Sequence, residues 1–241
     1  MAHRTKFLGS SFLVAALALG LVPSVVDAKL PRATAVEIST VQQELLELRY
    51  YTGPVDGQRS EALRFAVEAF QKVNGLSRDG IVGPETLSAL ATSSIPKANT
   101  VHDGIHTEVD IPRQVLAVYE GNQLLRILPV SSGSGKTYRA PDATEDSVAN
   151  TPTGSMSFLR HIEGIHRSHL GRLWNPVYFH AGGFAVHGEP SVPVFPASHG
   201  CIRIPVGDSE WFEQTVPLGS AILVSPDALS LEPATALDKS L

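Results

Sequence analysis

The chain has 241 residues, of which 43% are hydrophobic and 18% are charged. This length and composition allow one large or two small domains with a buried core, and they exclude wholesale disorder. The formal net charge of −5 gives no electrostatic reason to expect nucleic acid as a partner.

The first 28 residues have the pattern of a secretory signal peptide. The basic residues His3, Arg4 and Lys6 precede an almost wholly apolar or small run from 7 to 26, and Ala28 ends a tripeptide that a signal peptidase can read. We therefore predict cleavage after Ala28 and export to the cell envelope, in the periplasm or the cell wall. The alternative is an uncleaved membrane anchor, because the run is nearly long enough to span a bilayer. No segment after Ala28 is long and apolar enough to span a bilayer, so no membrane span is expected after cleavage.

Residues 34–92 predict three short helices. The first is expected to be capped by Ser39 or Thr40, the second by Ser60, and the third to carry Pro84 in its first turn. Apolar residues recur at helical spacing in all three: Val41, Leu45 and Leu48; Leu63, Val67 and Phe70; Leu87 and Leu90. The pairs Asp56-Gly57 and Asp79-Gly80 precede the second and third helices. Both favour tight turns, because glycine accepts positive φ and aspartate bonds its own backbone.

From about residue 101 the pattern changes to strands. The polar segment 93–100 is interpreted as a linker, and 101–225 as a mostly-β domain, so the fold class is α+β. Strands are predicted at 106–111, 115–119, 124–130, 184–186 and 221–224, with a hairpin turn at Gly121-Asn122. The glycine-rich segment 131–151 predicts a mobile loop that can close over a substrate, and 159–180 is not expected to be a plain core element. Residues 226–241 predict a loose tail.

The chain has a single cysteine, Cys201, in the hexapeptide Ser198-His199-Gly200-Cys201-Ile202-Arg203. Exported proteins usually pair cysteines in disulfides, so a lone one is a candidate reactive thiol. In an extended segment, residues 199, 201 and 203 share one face, and Ile202 and Ile204 face a core.

A thiol reacts as the thiolate, so it needs cationic or hydrogen-bonding neighbours that lower its pKa. His199 and Arg203 flank Cys201, and the amides around Gly200 and Cys201 can donate to an oxyanion. By spacing alone His199 is the nearer base, and His187 is a second candidate. The alternative is an ordinary small core cysteine among solvated histidines.

His187-Gly188 followed by the Ser198–Arg203 block resembles the signature of the L,D-transpeptidase catalytic domain (the YkuD family). Thr151-Pro152-Thr153-Gly154 resembles a TPTG segment of the same family. The resemblance covers roughly residues 101–225 and implies a mostly-β sandwich. It implies that Cys201 is the nucleophile and that His187 is the base, with its ring oriented by the Gly188 carbonyl.

The same resemblance implies that His199 supports the oxyanion region or polarises the thiol. Ser198, Arg203 and Tyr178 are expected to contact the substrate, Arg203 by binding a carboxylate. A structural salt bridge is the alternative for Arg203, and core packing is the alternative for Tyr178.

Residues 37–91 resemble the three-helix peptidoglycan-binding domain, through Val41-Gln42-Gln43-Glu44-Leu45, Tyr50-Tyr51-Thr52-Gly53-Pro54-Val55-Asp56-Gly57 and Asp79-Gly80-Ile81-Val82-Gly83-Pro84-Glu85-Thr86. This resemblance implies attachment to the cell wall. The glycines and aspartates of these turns are expected to be structural rather than to contact a ligand.

The two resemblances imply an exported peptidoglycan L,D-transpeptidase that uses no cofactor or metal. Its partners would be peptidoglycan stem peptides and glycan; the oligomeric state is not predicted. The thioester at Cys201 would pass to an amine of a second stem or to water. A zinc peptidase is the first alternative, although His166 and His169 have no matching acidic partner and no His-Glu-x-x-His occurs. A non-catalytic wall-binding protein is the second.

Overall fold

The computed structural model describes residues 1, 34–100, 102–141, 143–225 and 229–230. The predicted signal peptide, 1–28, lies outside the described residues except for Met1, and the predicted tail, 226–241, lies outside them except for 229–230. The helices of the described part are α1 (Ala35–Glu47), α2 (Glu61–Val73), α3 (Pro84–Leu90) and α4 (Val206–Thr215). Its strands are β1 (Lys97–Ala98), β2 (Ile105–Asp110), β3 (Val115–Glu120), β4 (Gln123–Pro129), β5 (Thr137–Tyr138), β6 (Ser147–Val148), β7 (Gly154–Ser157), β8 (Arg160–His161), β9 (Ile165–Ser168), β10 (Gly171–Tyr178), β11 (Ala185–Glu189), β12 (Ile202–Pro205), β13 (Ala221–Ser225) and β14 (Leu229–Ser230).

The three helices predicted in the N-terminal part are confirmed. Ser60 caps α2 through its side chain, and Pro84 is in the first turn of α3. The prediction that Ser39 or Thr40 caps α1 is wrong, because the helix begins a turn earlier. Its cap is Thr34, whose hydroxyl accepts from the Glu37 N–H at 3.3 Å.

Two buried glutamines hold the Asp-Gly turns. Gln42 on α1 accepts from the N–H groups of Asp56 and Gly57 at 3.0 and 2.8 Å. Gln71 on α2 accepts from the Gly80 N–H at 2.8 Å and donates to Asp79 Oδ1 at 2.8 Å. The turns are thus held by side chains from inside the helical domain, which supports the structural interpretation of their glycines and aspartates.

Residues of the second half form two five-stranded sheets that pack face to face. The first has the strand order β4-β3-β2-β13-β7; the second has the order β12-β11-β10-β8, with β9 also paired to β10. The pairs β2–β13 and β11–β12 are parallel, and the other pairs of the two sheets are antiparallel. The predicted α+β class with a β-sandwich is therefore confirmed.

The first sheet is buried on both faces, which explains the continuous apolar run of β3. Leu116 and Val118 point into the core between the sheets, together with Ile202 and Ile204 of β12. The alternate residues Val115, Ala117 and Tyr119 instead join a second core, shared with the helical domain. Successive side chains of β3 point to opposite faces of the sheet, so this one strand contributes apolar side chains to two different cores.

Three segments without a predicted strand contain strands in the structure. The linker 93–100 contains β1, which pairs with β14, and its Asn99 and Thr100 N–H groups donate to the buried carboxylate of Glu108 at 3.1 and 2.9 Å. The segment 131–151, predicted as a mobile loop, contains the hairpin β5–β6.

The segment 159–180, which was not expected to be a plain core element, contains β8, β9 and β10. Leu173, Val177 and Phe179 within it are buried, whereas Arg160 and Arg167 are exposed, so the segment belongs partly to the core and partly to the surface. Its charged and aromatic residues conceal the alternation of a strand whose inner face is apolar. The helix α4 was not predicted from the sequence; it follows β12 and buries Phe212 between the sheets.

Candidate active site

Cys201 lies in a tight turn that leads into β12. Gly200 has φ +133°, a backbone conformation that favours glycine. A side chain at this position would overlap the Phe184 ring and approach the Asn150 carbonyl oxygen at 2.9 Å. The Ser198 hydroxyl accepts from the Gly200 N–H at 2.9 Å and donates to the Cys201 carbonyl at 2.5 Å. The turn is thus closed by its own side chain.

The strand that follows the turn sets the direction of the functional side chains. Ile202 and Ile204 are fully buried in the core between the sheets, as the alternation predicts. Cys201 and Arg203 therefore point the opposite way, into a cleft of about 420 Å³.

The parallel pairing of β11 with β12 brings His187 beside this face, opposite Arg203. The His187 ring is 5% exposed, and its Nδ1 lies 2.8 Å from the Gly188 carbonyl oxygen. Gly188 itself has no room for a side chain, because a Cβ would lie 2.7 Å from Ser209 of α4 and 3.0 Å from the Trp174 Cβ. The helix α4 therefore packs directly against the Gly188 backbone, whose carbonyl orients the imidazole.

Burial keeps both reactive groups neutral at rest. Desolvation lowers the pKa of His187 to about 4; the hydrogen bond to Gly188 opposes this, and the charge of Arg203 adds to it. Desolvation raises the pKa of the Cys201 thiol, against the smaller lowering effects of the Ala185 backbone and Arg203. Arg203 thus lowers the pKa of the thiol as expected of a neighbouring cation, but burial outweighs this effect and the pKa is raised overall.

The tautomer of His187 follows from its partner. A carbonyl oxygen can only accept, so Nδ1 carries the proton of the neutral ring and Nε2 has a free lone pair. A base with this arrangement can take a proton from a thiol.

The hairpin β5–β6 and the hairpin β9–β10 border the cleft. Tyr138 of β5 lies with its ring centroid 4.5 Å from that of His199, which is exposed at the cleft. Leu170 and Leu173 contribute an apolar lining from the other hairpin. The cleft thus combines a polar floor with partly apolar walls, as small-ligand sites commonly do.

Comparisons with known proteins show the family of this chain. The family model of the L,D-transpeptidase catalytic domain matches residues 105–224, and that of a peptidoglycan binding domain matches residues 34–90. The crystal structure of an L,D-transpeptidase from Xylanimonas cellulosilytica DSM 15894 is 38% identical, with a TM-score of 0.75, and the match covers 81% of this chain and 96% of that chain. This chain belongs to the L,D-transpeptidase family. The family predicted from the His-Gly and Ser-His-Gly-Cys motifs is confirmed.

Curated proteins match this L,D-transpeptidase family member over shorter stretches. The localization factor PodJL of Caulobacter vibrioides is 43% identical over 61 residues, which are 25% of this chain and 6% of that protein. The N-acetylmuramoyl-L-alanine amidase CwlM of Mycobacterium tuberculosis is 43% identical over 54 residues, which are 22% of this chain and 13% of that protein. The chain therefore spans only a small part of the length of these two relatives.

The cleft of this family member brings together every side chain that the sequence singled out. Those that line it are Cys201, His187, His199, Arg203, Ser198 and Tyr178. Tyr178 is 5% exposed, and the Arg160 guanidinium lies 3.5 Å from its ring centroid, so it also packs as a wall residue. Among the described residues, no carboxylate lies within ion-pair distance of Arg203, which disfavours the structural salt bridge.

Two groups with predicted roles are already hydrogen-bonded within the turn. The hydroxyl of Ser198, predicted to contact the substrate, already forms two hydrogen bonds within the turn. The N–H of Gly200, predicted as an oxyanion donor, donates one of those two bonds. Both groups therefore stabilise the turn in the substrate-free protein. Donation of the Cys201 N–H to an oxyanion stays a prediction.

Sequence reasoning missed three residues of the site. Thr151 of the TPTG segment accepts from the Gly133 N–H and donates to the Gly200 carbonyl, both at 2.8 Å. Glu189 follows His187 on the same face of β11 and lines the cleft, and Tyr138 reaches it from the hairpin β5–β6. The resemblance of residues 151–154 to the TPTG segment was a sequence signal for Thr151. No sequence signal pointed to Glu189 or Tyr138.

Within the described residues, no three His, Cys, Asp or Glu side chains are grouped so as to hold a metal ion. No helix in the described part of the chain has the length and apolarity that crossing a bilayer requires.

Proposed function

We propose that this protein is an exported peptidoglycan L,D-transpeptidase whose Cys201 forms a thioester with a stem tetrapeptide. The observation that carries the proposal is that Cys201 and His187 line the same cleft, with the His187 ring oriented by the Gly188 carbonyl oxygen 2.8 Å from its Nδ1. Membership of the family supports the same reaction class. The domain matched by the peptidoglycan-binding model supports a substrate in the cell wall.

In the proposed acylation, the Cys201 sulfur attacks the carbonyl that joins the diamino acid at stem position three to the terminal D-alanine. The thiol proton passes to Nε2 of His187, and the imidazolium that forms stabilises the negative charge that develops on sulfur. Backbone amides near Cys201 stabilise the tetrahedral oxyanion. The C–N bond then breaks, the D-alanine amine takes the proton from His187, and a thioester remains.

In the proposed deacylation, an amine of a second stem gives a proton to His187 and attacks the thioester carbonyl. The C–S bond breaks, and the sulfur regains its proton. The product is a cross-link between two stems, or a shortened stem if water takes the place of the amine. Arg203 faces the cleft together with Glu189, whose carboxylate interacts with it electrostatically. Its guanidinium supports substrate placement, since it can bind a stem carboxylate through two parallel hydrogen bonds.

The test is acyl-enzyme formation with a purified stem tetrapeptide, followed by intact mass spectrometry. We expect wild-type protein to gain the mass of the donor minus D-alanine, and Cys201→Ala to gain nothing. His187→Ala should lower turnover by about 10³-fold or more, because the thiol and the base act as a unit. His199→Ala is the comparison variant. Its loss should be smaller than that of His187→Ala, because the exposed His199 ring is expected to support the reaction and not to take the thiol proton.

An acyl-enzyme in Cys201→Ala would refute the nucleophile assignment. A larger loss in His199→Ala than in His187→Ala would reverse the roles of the two histidines. Activity that a chelator removes and a thiol reagent leaves intact would favour the zinc peptidase. A stem peptide left unchanged by wild-type protein, together with binding to purified wall, would favour the non-catalytic alternative.

Export is the second part of the proposal, supported by the basic and apolar pattern of residues 1–28. We expect the intact mass of the protein from the envelope fraction to correspond to a chain that begins at Lys29. Full-length protein in a membrane fraction would instead indicate an uncleaved anchor.

A further inference from the structure

A buried lysine connects the helical domain to the catalytic domain. Lys72 lies on α2 and is 1% exposed, and its ammonium donates to the carbonyl oxygens of Gln114 at 3.1 Å and Val130 at 3.0 Å. Lysine is almost never fully buried unless its charge has a partner. A well-packed apolar side chain of similar volume is often neutral or stabilising at a buried charged position. Glu68 on the same helix is a charged neighbour of Lys72. The two backbone carbonyls that the Lys72 side chain binds point to a further role, in holding that backbone.

The two carbonyls that Lys72 binds belong to a network that continues to the nucleophile turn. The Gln114 side chain donates to Ser132 Oγ and accepts from the Ser132 N–H, both at 2.8 Å. The Ser132 carbonyl in turn accepts from the N–H groups of Ala197 and Ser198 at 3.0 and 2.9 Å. Ser198 is the residue whose hydroxyl closes the turn around Cys201.

A second path runs through Val130. The residue after it, Ser131, exchanges backbone hydrogen bonds with Arg203, at 3.1 and 3.0 Å. Ser131 and Ser132 are 0% and 1% exposed, so these bonds are protected from exchange with water. Both paths begin at the same ammonium and end on the two sides of Cys201.

Arg78 makes a separate contact between the same two parts of the chain. Its guanidinium donates to the carbonyls of Val194 at 3.3 Å and Pro112 at 3.1 Å. Val194 lies in the loop that joins His187 to Ser198. The helical domain thus holds the backbone of the site at more than one point, and Lys72 is the buried one.

We propose that Lys72 is a positioning residue for Cys201: through it, the helix α2 of the peptidoglycan-binding domain holds the backbone that carries the nucleophile. The domain that binds the wall is then also a structural support of the active site. This inference rests on the proposed role of Cys201 for its kinetic readout, but its structural readout is independent of the reaction.

The test compares Lys72→Met with two control variants of the full chain. Lys72→Arg keeps donors that can reach the two carbonyls. Val67→Ala removes buried methyl groups from the same helix, at a residue that belongs to the core shared with β3. It therefore destabilises the same region without touching the network. All variants are measured well below their melting temperatures, with a soluble stem tetrapeptide as substrate.

We expect amide hydrogen exchange in the segment 195–203 to be faster in Lys72→Met and unchanged in Val67→Ala. We also expect kcat to fall about tenfold in Lys72→Met with little change in KM, because a small displacement of a nucleophile is costly whereas substrate contacts remain. Lys72→Arg should recover most of the lost kcat. If Lys72→Met does not fold, Lys72→Gln is measured in its place.

Unchanged exchange at 195–203 in Lys72→Met would overturn the proposal, and so would faster exchange with a wild-type kcat. An equal fall of kcat in Val67→Ala would reduce Lys72 to a stabilising contact and would also overturn it. If wild-type protein forms no acyl-enzyme, the proposed function fails, whereas the exchange result still decides whether Lys72 holds the turn.

Discussion

Cys201 and His187 illustrate how burial decides the charge of a reactive pair. Neighbouring groups favour the charged form of each residue. The Ala185 backbone and Arg203 lower the pKa of the thiol, and the Gly188 carbonyl raises the pKa of the imidazole. Desolvation exceeds these effects in both cases. In the proposed acylation, the thiol therefore keeps its proton until a substrate carbonyl is in place, and the proton moves to His187 as the sulfur attacks.

This charge state predicts the pH dependence of alkylation of the substrate-free thiol by iodoacetamide. Because the pKa of Cys201 is raised, the thiolate is a minor form at neutral pH, and the rate should rise with a midpoint above that of an ordinary thiol. Because the pKa of His187 is lowered to about 4, an imidazolium is present to stabilise a thiolate only near or below that pH. The measurement is the alkylation rate by mass spectrometry from about pH 5 to 10, around the ordinary thiol pKa. A rate that is already maximal at about pH 6 would instead indicate an ion pair of the kind seen in cysteine proteases.

At the scale of elements, the site depends on segments far apart in sequence that hold one turn. Thr151 joins the start of the segment 131–151, through Gly133, to the nucleophile turn, through Gly200. A Cβ at Gly133 would overlap the Ala149 carbonyl oxygen, so the two backbones approach as closely as glycine allows. The TPTG segment therefore acts as a clamp between the hairpin β5–β6 and the turn.

The clamp predicts the effect of Thr151→Val, which keeps the shape of the side chain and removes its hydroxyl. We expect the free energy of unfolding to fall by about 1–3 kcal/mol, because the Gly133 N–H and the Gly200 carbonyl lose their partner. The rate of acylation should fall as well, by about tenfold, since the turn loses one of its supports. Denaturant unfolding and acylation kinetics provide the two measurements.

Thr153→Val is the matched control, because Thr153 lies in the same segment and is exposed. It should change neither stability nor acylation by more than about 0.5 kcal/mol or its equivalent in rate. Equal effects of the two substitutions would contradict the clamp.

At the scale of the whole molecule, the helical domain and the sandwich share a core. Val115, Ala117, Tyr119, Leu124 and Ile127 of β3 and β4 pack in one cluster with the buried residues of α1 and α2. Full burial of one large apolar side chain is worth about 1.5–3 kcal/mol. The catalytic part therefore depends on the helical domain for the burial of one face of its first sheet.

This shared core predicts that residues 93–241 alone are much less stable than residues 29–241. Removal of the helices exposes an apolar sheet face and leaves the carbonyls of Gln114 and Val130 without the Lys72 donor. We expect a lower melting temperature and binding of a hydrophobic dye, as measured by thermal unfolding and fluorescence. An unchanged melting temperature would show that the two parts are independent.

Much of the fold and of the candidate site was accessible from the sequence, because the signals are local. Helical spacing, the Asp-Gly turns and the cap at Ser60 depend on a few neighbouring residues, and the alternation after Cys201 placed Ile202 and Ile204 in the core. The helix α4 and the strand β10 were missed because weak or mixed periodicity conceals which face is buried. The cap at Thr34 was missed because the apolar spacing begins only at Val41, a turn and a half into the helix.

The sequence by itself determined the family, the α+β class and six of the side chains that line the cleft, among them Cys201 and His187. Only the tertiary structure decided their chemical state, the occupation of Ser198 and Gly200 within the turn, and the supports supplied by Thr151 and Lys72. The physical reason is that desolvation and hydrogen bonding between distant segments arise only when those segments pack together. Lys72 and Gln114 are 42 residues apart in the chain and hydrogen-bonded in the fold, and no local pattern records that contact.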